Sequence, residues 1–372
     1  MGRRYVATRL NGDGTETPLS FDVPLQGVSI TDDLSGPGGL EGTITPELER
    51  LKTPGGAPVF EAWSTALYAE VDGKIRGGAI LAGLKDQGAS MALDCVGFTA
   101  YLKDEPYTAD YSRVGVDPLE VARHMWEHRQ AKTGGNIGLV VDGTTSPVRI
   151  GTPARDVNFT NSAGEDVSFE AGPYTLAWWK TRDLGKEFDD LATTTPFDYR
   201  VSHEWDGETV AHRLILGYPR LGRRREDLRF VLGENVFQRP TVDLTGGDYA
   251  SEILVLGAGE GRKMVRGIQS TASRRLHRTA VVEDKSLQSK KAAAAVALTE
   301  LRSRLGGPDI TEVEALNHPH ARIGDYSPGD EILIQTREGW SGEVSLWVRI
   351  LSITLDPVSE RSVLSVARVE KV

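Results

Sequence analysis

The sequence predicts a β-rich α+β protein: two small antiparallel β-barrel domains, an α+β domain between them, and a helical insertion in the second barrel. Three observations carry this. Short alternating runs broken by turns fill both ends of the chain, and 41 glycines and 18 prolines in 372 residues are the composition of many turns and short strands. Over about 118–130 and 182–194, and again over 286–305, apolar residues recur at helical spacing. The length also exceeds one typical core, so several domains are expected.

The elements follow in order. Residues 5–10, 19–30 and 40–44 alternate as strands, divided by Asn11-Gly12-Asp13-Gly14 and Gly36-Pro37-Gly38-Gly39. Runs 63–71 and 74–81 flank Asp72-Gly73, a hairpin signal, and 90–98 closes the set. A barrel over 1–103 uses such strands without exposing edges. Asp117 as N-cap and Pro118 as first helical residue open a helix to about Gln130, whose buried stripe is Val121, Ala122, Met125 and Trp126. Residues 133–173 are polar, with Gly134-Gly135, Asp142-Gly143 and the 161–164 turn, and read as loops and minor strands. A second helix over about 182–194 places Leu184, Phe188, Leu191 and Ala192 on one side, and Pro196 ends it.

Residues 196–236 hold two alternating runs around Asp206-Gly207, followed by an arginine cluster. With Asp206 and Gly207 as the loop, Trp205 faces Glu208, His203 faces Val210 and Val201 faces His212. One face of the ribbon is then Tyr199, Val201, His203, Trp205, Val210, His212 and Leu214. The α+β domain spans 104–232. Strands at 250–257, 263–270, 310–316, 331–335, 344–355 and 362–369 build the second barrel from 233–274 and 308–372. Ser286 reads as the N-cap of a helix with Ala292, Ala295, Leu298, Leu301 and Leu305 as stripe and Gly306-Gly307-Pro308 as stop. The helical insertion is 275–307.

Charge and chemistry exclude more than they assign. With 43 basic and 53 acidic residues the net charge is −10, which disfavours general affinity for nucleic-acid backbones or anionic lipid. No apolar run reaches the length of a membrane span. Cys95 is the one cysteine, so no intramolecular disulfide forms, and a buried thiol suits a reducing cytoplasm. Leu256-Gly-Ala-Gly-Glu-Gly261 lacks the dinucleotide spacing and is followed by an alternating run, so it reads as a tight β connection. His124 and His128 lack the zinc-protease order, since Glu127 precedes the second histidine. His203 and His212 would be diagonal neighbours without a third ligand, and His318-Pro-His320 reads as a solvated turn. No nucleophile elbow occurs, and Asp189-Asp190 and Asp32-Asp33 are pairs expected by chance among 53 acidic residues. The expectation is no enzyme, no catalytic residue, no cofactor and no metal. Arg220, Arg223, Arg224 and Arg225 form the dense basic cluster, flanked by Glu226 and Asp227, and read as ion-paired within the protein or at a subunit contact. Of Trp178 and Trp179, one is expected in the core, with Trp178 a candidate anchor for a neighbouring subunit.

Residues 65–81 (TALYAEVDGKIRGGAIL), 195–236, 249–261 (YASEILVLGAGEG), 328–335 (PGDEILIQ) and 347–357 (WVRILSITLDP) resemble, in chain order, minor tail proteins of long-tailed actinobacteriophages, specifically the tail hub or baseplate hub group. The resemblance implies tube-type barrels and a homotrimeric ring at the distal end of the tail tube. The ring would adapt a sixfold tube to a threefold tip and line the path of phage DNA. Implied partners are the distal tail protein, the tape-measure protein and a central tip or fibre protein, with assembly in the host cytoplasm and no direct membrane anchoring. Two alternatives stand beside it: a hexameric distal tail protein, and a tail-associated cell-wall hydrolase.

Overall fold

A computed structural model describes residues 2–160, 166–240, 242–243, 249–259, 261, 264–284, 287, 289–305, 309–338 and 342–369. The expected turn at 161–164, Ser286 as a cap and the stop at 306–308 lie outside these residues, as does Glu260 in the glycine-rich connection.

The first seven strands are β1 (Arg3–Leu10), β2 (Glu16–Ser20), β3 (Gln26–Asp33), β4 (Gly39–Ile44), β5 (Thr65–Val71), β6 (Lys74–Asp86) and β7 (Met91–Val96). They run β3-β4-β7-β6-β5-β1-β2 in the sheet. Every residue of β5 is buried, which a half-exposed barrel wall does not require. Its period of two explains this: Leu67 and Ala69 face one core with Tyr5, Ala7 and Leu81, while Ala66 and Tyr68 face a second core. That second core belongs to the middle of the chain, which therefore lies on the outer face of the first sheet.

The middle region contains β8 (Asp110–Arg113), α1 (Pro118–Gln130), β9 (Leu139–Val141), β10 (Arg155–Thr160), β11 (Asp166–Ala171), β12 (Tyr174–Ala177), α2 (Leu184–Thr194), β13 (Asp198–Asp206) and β14 (Thr209–Gly217). Helix α1 starts where its sequence says: the Asp117 carboxylate accepts from the Leu119 N–H, and Val121, Ala122, Met125 and Trp126 are buried. The same carboxylate accepts from Ser146 N–H and Oγ–H. In α2, Asp183 is the cap and Leu184, Phe188 and Leu191 are buried.

The β13–β14 hairpin keeps the expected faces but shifts its register by two residues. Trp205 pairs with Val210, His203 with His212 and Val201 with Leu214. The loop residues are Gly207 and Glu208, and Gly207 has φ 66°, the arrangement of a type II′ turn with glycine in the first central position. Asp72-Gly73, by contrast, has both residues at positive φ, 52° and 76°, as a type I′ turn demands. The same dipeptide thus makes two different turns. The correction sets the two histidines directly opposite each other.

Beyond the hairpin the expected grouping changes. Strands β17 (Glu252–Leu256) and β18 (Arg266–Ser270), assigned by their alternation to the second barrel, pair with β19 (Thr279–Glu283) in a separate sheet of order β18-β17-β19. Helix α3 (Lys290–Arg304) covers that sheet, with Ile253, Val255, Ala293, Ala297 and Leu301 in one small core. Ser289 caps α3 by accepting from Ala292 N–H. Its buried stripe is Ala293, Ala297 and Leu301, while Leu298 and Leu305 are exposed. Of the expected stripe Leu301 is buried as read, whereas Ala295, Leu298 and Leu305 are exposed, because an alanine-rich segment gives weak contrast between its faces. The small residues have a purpose: a Cβ added at Gly267 would lie 2.3 Å from the Ala293 carbonyl carbon, so helix and strand backbones are in close contact.

The second β region comprises β15 (Phe230–Val231), β16 (Val242–Asp243), β20 (Asp309–Ile310), β21 (Glu312–Leu316), β22 (Glu331–Glu338), β23 (Gly342–Asp356) and β24 (Arg361–Arg368), around Phe230, Ile310, Val313, Ile332, Ile350 and Leu364. Among the described residues no sheet closes into a barrel. Instead β3 pairs antiparallel with β23, Ile30 to Asp33 opposite Leu355 to Ser352, so one ladder runs through both β regions. Beyond β3, Leu34 N–H donates to Leu351 O and Ser35 N–H to Tyr199 O. Residues 32–35 thereby tie the first sheet to the second and to the hairpin.

Candidate assembly surface and buried junction

The hairpin docks on the first sheet through polar groups. His203 Nδ1 and His212 Nδ1 are 2.9 Å apart, and His212 Nε2 lies 3.0 Å from Glu16 Oε1. Tyr68 donates its hydroxyl to the same Glu16 oxygen at 2.5 Å. Both imidazoles pack on Phe98, with ring centroids 4.7 and 4.5 Å away. Burial, followed by the facing His212, holds His203 well below the usual imidazole range, and burial with the neighbouring Glu16 pushes the Tyr68 phenol up. His203 Nδ1 and both nitrogens of His212 are engaged within the junction, so this constellation fastens two sheets. At its rim, Trp205 donates to Glu70 at 2.8 Å, and Arg4 holds Glu70 through two bonds at 2.8 and 2.9 Å.

A cleft of about 500 Å³ opens beside this junction, lined by Asp32, Lys74, Arg76, Arg200, His203 and Tyr326 among others. Arg200 bonds Asp32 at 3.1 Å. Burial raises the Asp32 carboxyl to about 6 against the pull of Arg200. The carboxylate pairs otherwise have structural partners: Asp189 accepts from the Tyr199 hydroxyl at 2.6 Å, and Lys186 bonds Asp190 at 3.2 Å. Burial pushes the Cys95 thiol up to about 12, so it is no thiolate nucleophile. His124 Nε2 lies 2.8 Å from the Tyr107 hydroxyl, and His128 Nε2 accepts from Thr108 N–H at 3.2 Å. The glycine-rich connection joins antiparallel β17 and β18, with Val265 N–H donating to Ala258 O.

The arginines divide. Arg225 is buried: its guanidinium bonds Asp227 at 2.9 and 2.6 Å, reaches Asp330 at 3.4 Å and donates to the Asp325 carbonyl. Pairing with Arg225 lowers the Asp227 carboxyl to about 2. Arg225 thus serves inside the chain, while Arg220, Arg223 and Arg224 are exposed. Arg223 N–H donates to Asp330 at 3.0 Å, and the Arg224 guanidinium stacks 3.9 Å above Trp347. Trp178 stands on a different sheet, after β12. Both it and Trp179 are exposed, at 62% and 61%, edge to face at 5.4 Å. Neither is in the core, because the pair sits in a tight turn in which Lys180 and Thr181 N–H both donate to Ala177 O.

One cluster escaped sequence reasoning. Glu234, His318 and His320 are the one group of three His, Cys, Asp or Glu among the described residues whose ligand atoms all lie within 4.8 Å. The histidines were visible as a pair, but Glu234 is 86 residues from His320 and no local signal joins them.

This arrangement of joined sheets is similar in fold to solved prophage tail proteins. The 43 kDa tail protein of prophage MuSo2 from Shewanella oneidensis superposes with a TM-score of 0.60 at 12% identity, covering 100% of this chain and 99% of that one. Tail protein gp18 of a Listeria monocytogenes prophage gives 0.55 at 10% identity, with 99% and 95% covered. A tail protein from Neisseria meningitidis gives 0.53 at 14%, with 98% and 96% covered. No protein-family model and no curated sequence matches the chain.

Proposed function

We propose that this chain is a structural subunit of a phage tail tip, the trimeric hub at the distal end of a siphovirus tail tube. The observation that carries the proposal is the fold shared with prophage tail proteins over essentially the full length of both chains. In this reading the two β regions are tube-type barrel walls whose three copies adapt a sixfold tube to a threefold tip. The ladder through β3 and β23 supports a rigid pair of walls. Distal tail, tape-measure and central tip or fibre proteins are its proposed partners. Trp178 with its neighbour Trp179, and Arg220, Arg223 and Arg224, are the proposed contact elements, since a large exposed aromatic pair suits a binding surface. Net charge −10 favours a lumen that repels the DNA backbone as it passes.

The test is the mass of the purified assembly in solution. Three copies support the hub, and six copies would replace it by a hexameric distal tail protein. A hydrolase predicts soluble fragments from host peptidoglycan; a structural subunit predicts none.

A further inference from the structure

We propose that Glu234, His318 and His320 form a site for one divalent first-row transition metal ion, with zinc as the reference case. The inference is independent of the tail-tip reading. Two imidazoles and a carboxylate are a donor set that zinc, nickel and copper take readily, whereas magnesium and calcium prefer oxygen alone. The three donors already converge within 4.8 Å, with His320 Nδ1 2.5 Å from Glu234 Oε1 and the two rings edge to face at 4.9 Å.

The two loops that supply them are held from behind. His318 begins a tight turn with Pro319 in its second position, closed by Ala321 N–H donating to His318 O at 2.9 Å. Before it, Asn317 accepts from Ile323 N–H and donates to Glu360. Opposite, the buried side chain of Asn235 accepts from Val231 N–H and donates to Arg229 O at 2.7 Å, while its carbonyl accepts from Leu316 N–H at 2.8 Å. Glu234 and the histidine turn are thus fixed on neighbouring backbones, so ordering the ligands costs little. An exposed Glu–His ion pair alone is worth little in water, whereas here a second imidazole, His318, stands beside it with its ligand atom within 4.8 Å of the other two.

In the ion-free site His318 Nδ1 accepts from His320 N–H at 3.2 Å. A metal exchanges that bond, and the His320–Glu234 contact, for its own. Any proton on a ligating nitrogen goes to solvent, so binding weakens in acid. Glu234 and His320 are exposed and His318 half-buried, which gives the ion an entry path and leaves a coordination position for water or a further ligand.

The experiment is calorimetric titration of the full chain, stripped with EDTA and desalted, with zinc chloride. One ion per chain is expected, and His318→Ala or His320→Ala weakens binding by about 10-fold or more. His277→Ala, which removes an exposed histidine near Glu252, leaves it unchanged, and magnesium chloride gives no binding. Zinc should also raise the Tm of the wild type and not that of the double variant carrying both His318→Ala and His320→Ala. Cobalt chloride added to the unaltered protein should give visible d–d bands, a readout that needs no variant. Zinc uptake unchanged in the double variant, or no uptake together with no cobalt bands, overturns the proposal.

Discussion

At the level of single residues, the basic cluster shows how composition hides division of labour. Arg225 and Arg224 are neighbours, yet one is buried between Asp227 and Asp330 and the other lies on Trp347 at the surface. Arg225→Ala leaves the buried Asp330 without its cation and should cost about 3 kcal/mol in urea unfolding. Arg224→Ala should stay within about 0.5 kcal/mol. The half-buried His203 adds a pH dependence of fixed sign. His203 is held below its unfolded value of about 6.5, so the unfolded chain binds more protons in acid and stability falls below that pH, by up to about 1.4 kcal/mol per unit. Asp32 acts oppositely: burial raises it to about 6 from the ordinary carboxylate value of 3.8, so its contribution is lost as pH rises between the two. His203→Gln should therefore flatten the acid loss of Tm, and Asp32→Asn should steepen it between about pH 4 and 6.

Elements were legible where their signals are local. Asp117-Pro118 and the periodic Val121, Ala122, Met125 and Trp126 fix α1 without help from the rest of the chain. Alternation also assigned the faces of β13 and β14, since a shift of two leaves every side chain on its side. It could not choose between two turn types for one dipeptide, and the facing of His203 and His212 went with that choice. Nor could it say which sheet a strand joins: β17 and β18 alternate as well as any barrel strand but pack on α3. Gly267→Ala tests that packing, because the new methyl meets helix backbone and cannot be absorbed by a side-chain rotation. Overpacking of this kind costs about 1–3 kcal/mol. Hydrogen exchange should rise in α3 and β17–β19 while the amides of β5 keep their protection.

For the whole molecule, two kinds of information were missing from the sequence. Alternation implied half-exposed strands, but β5 is covered on both faces because the middle region sits on it, a fact about tertiary arrangement. The Glu234 to His320 contact is likewise set by the meeting of two distant loops. Assembly belongs to this scale too. If three copies form the hub through exposed arginines, Arg220→Glu, Arg223→Glu and Arg224→Glu together should shift the mass in light scattering from trimer to monomer and leave Tm nearly unchanged.

The pairing of β3 with β23 has a mechanical reading. Ile30 to Asp33 and Leu355 to Ser352 are joined main chain to main chain, and the next amide, Leu34 N–H, continues the seam to Leu351. A load applied to one β region is therefore carried into the other through hydrogen bonds sheared together, with no hinge between them. In the proposed ring, widening would then fall between subunits, with the two walls of each subunit moving as one plate.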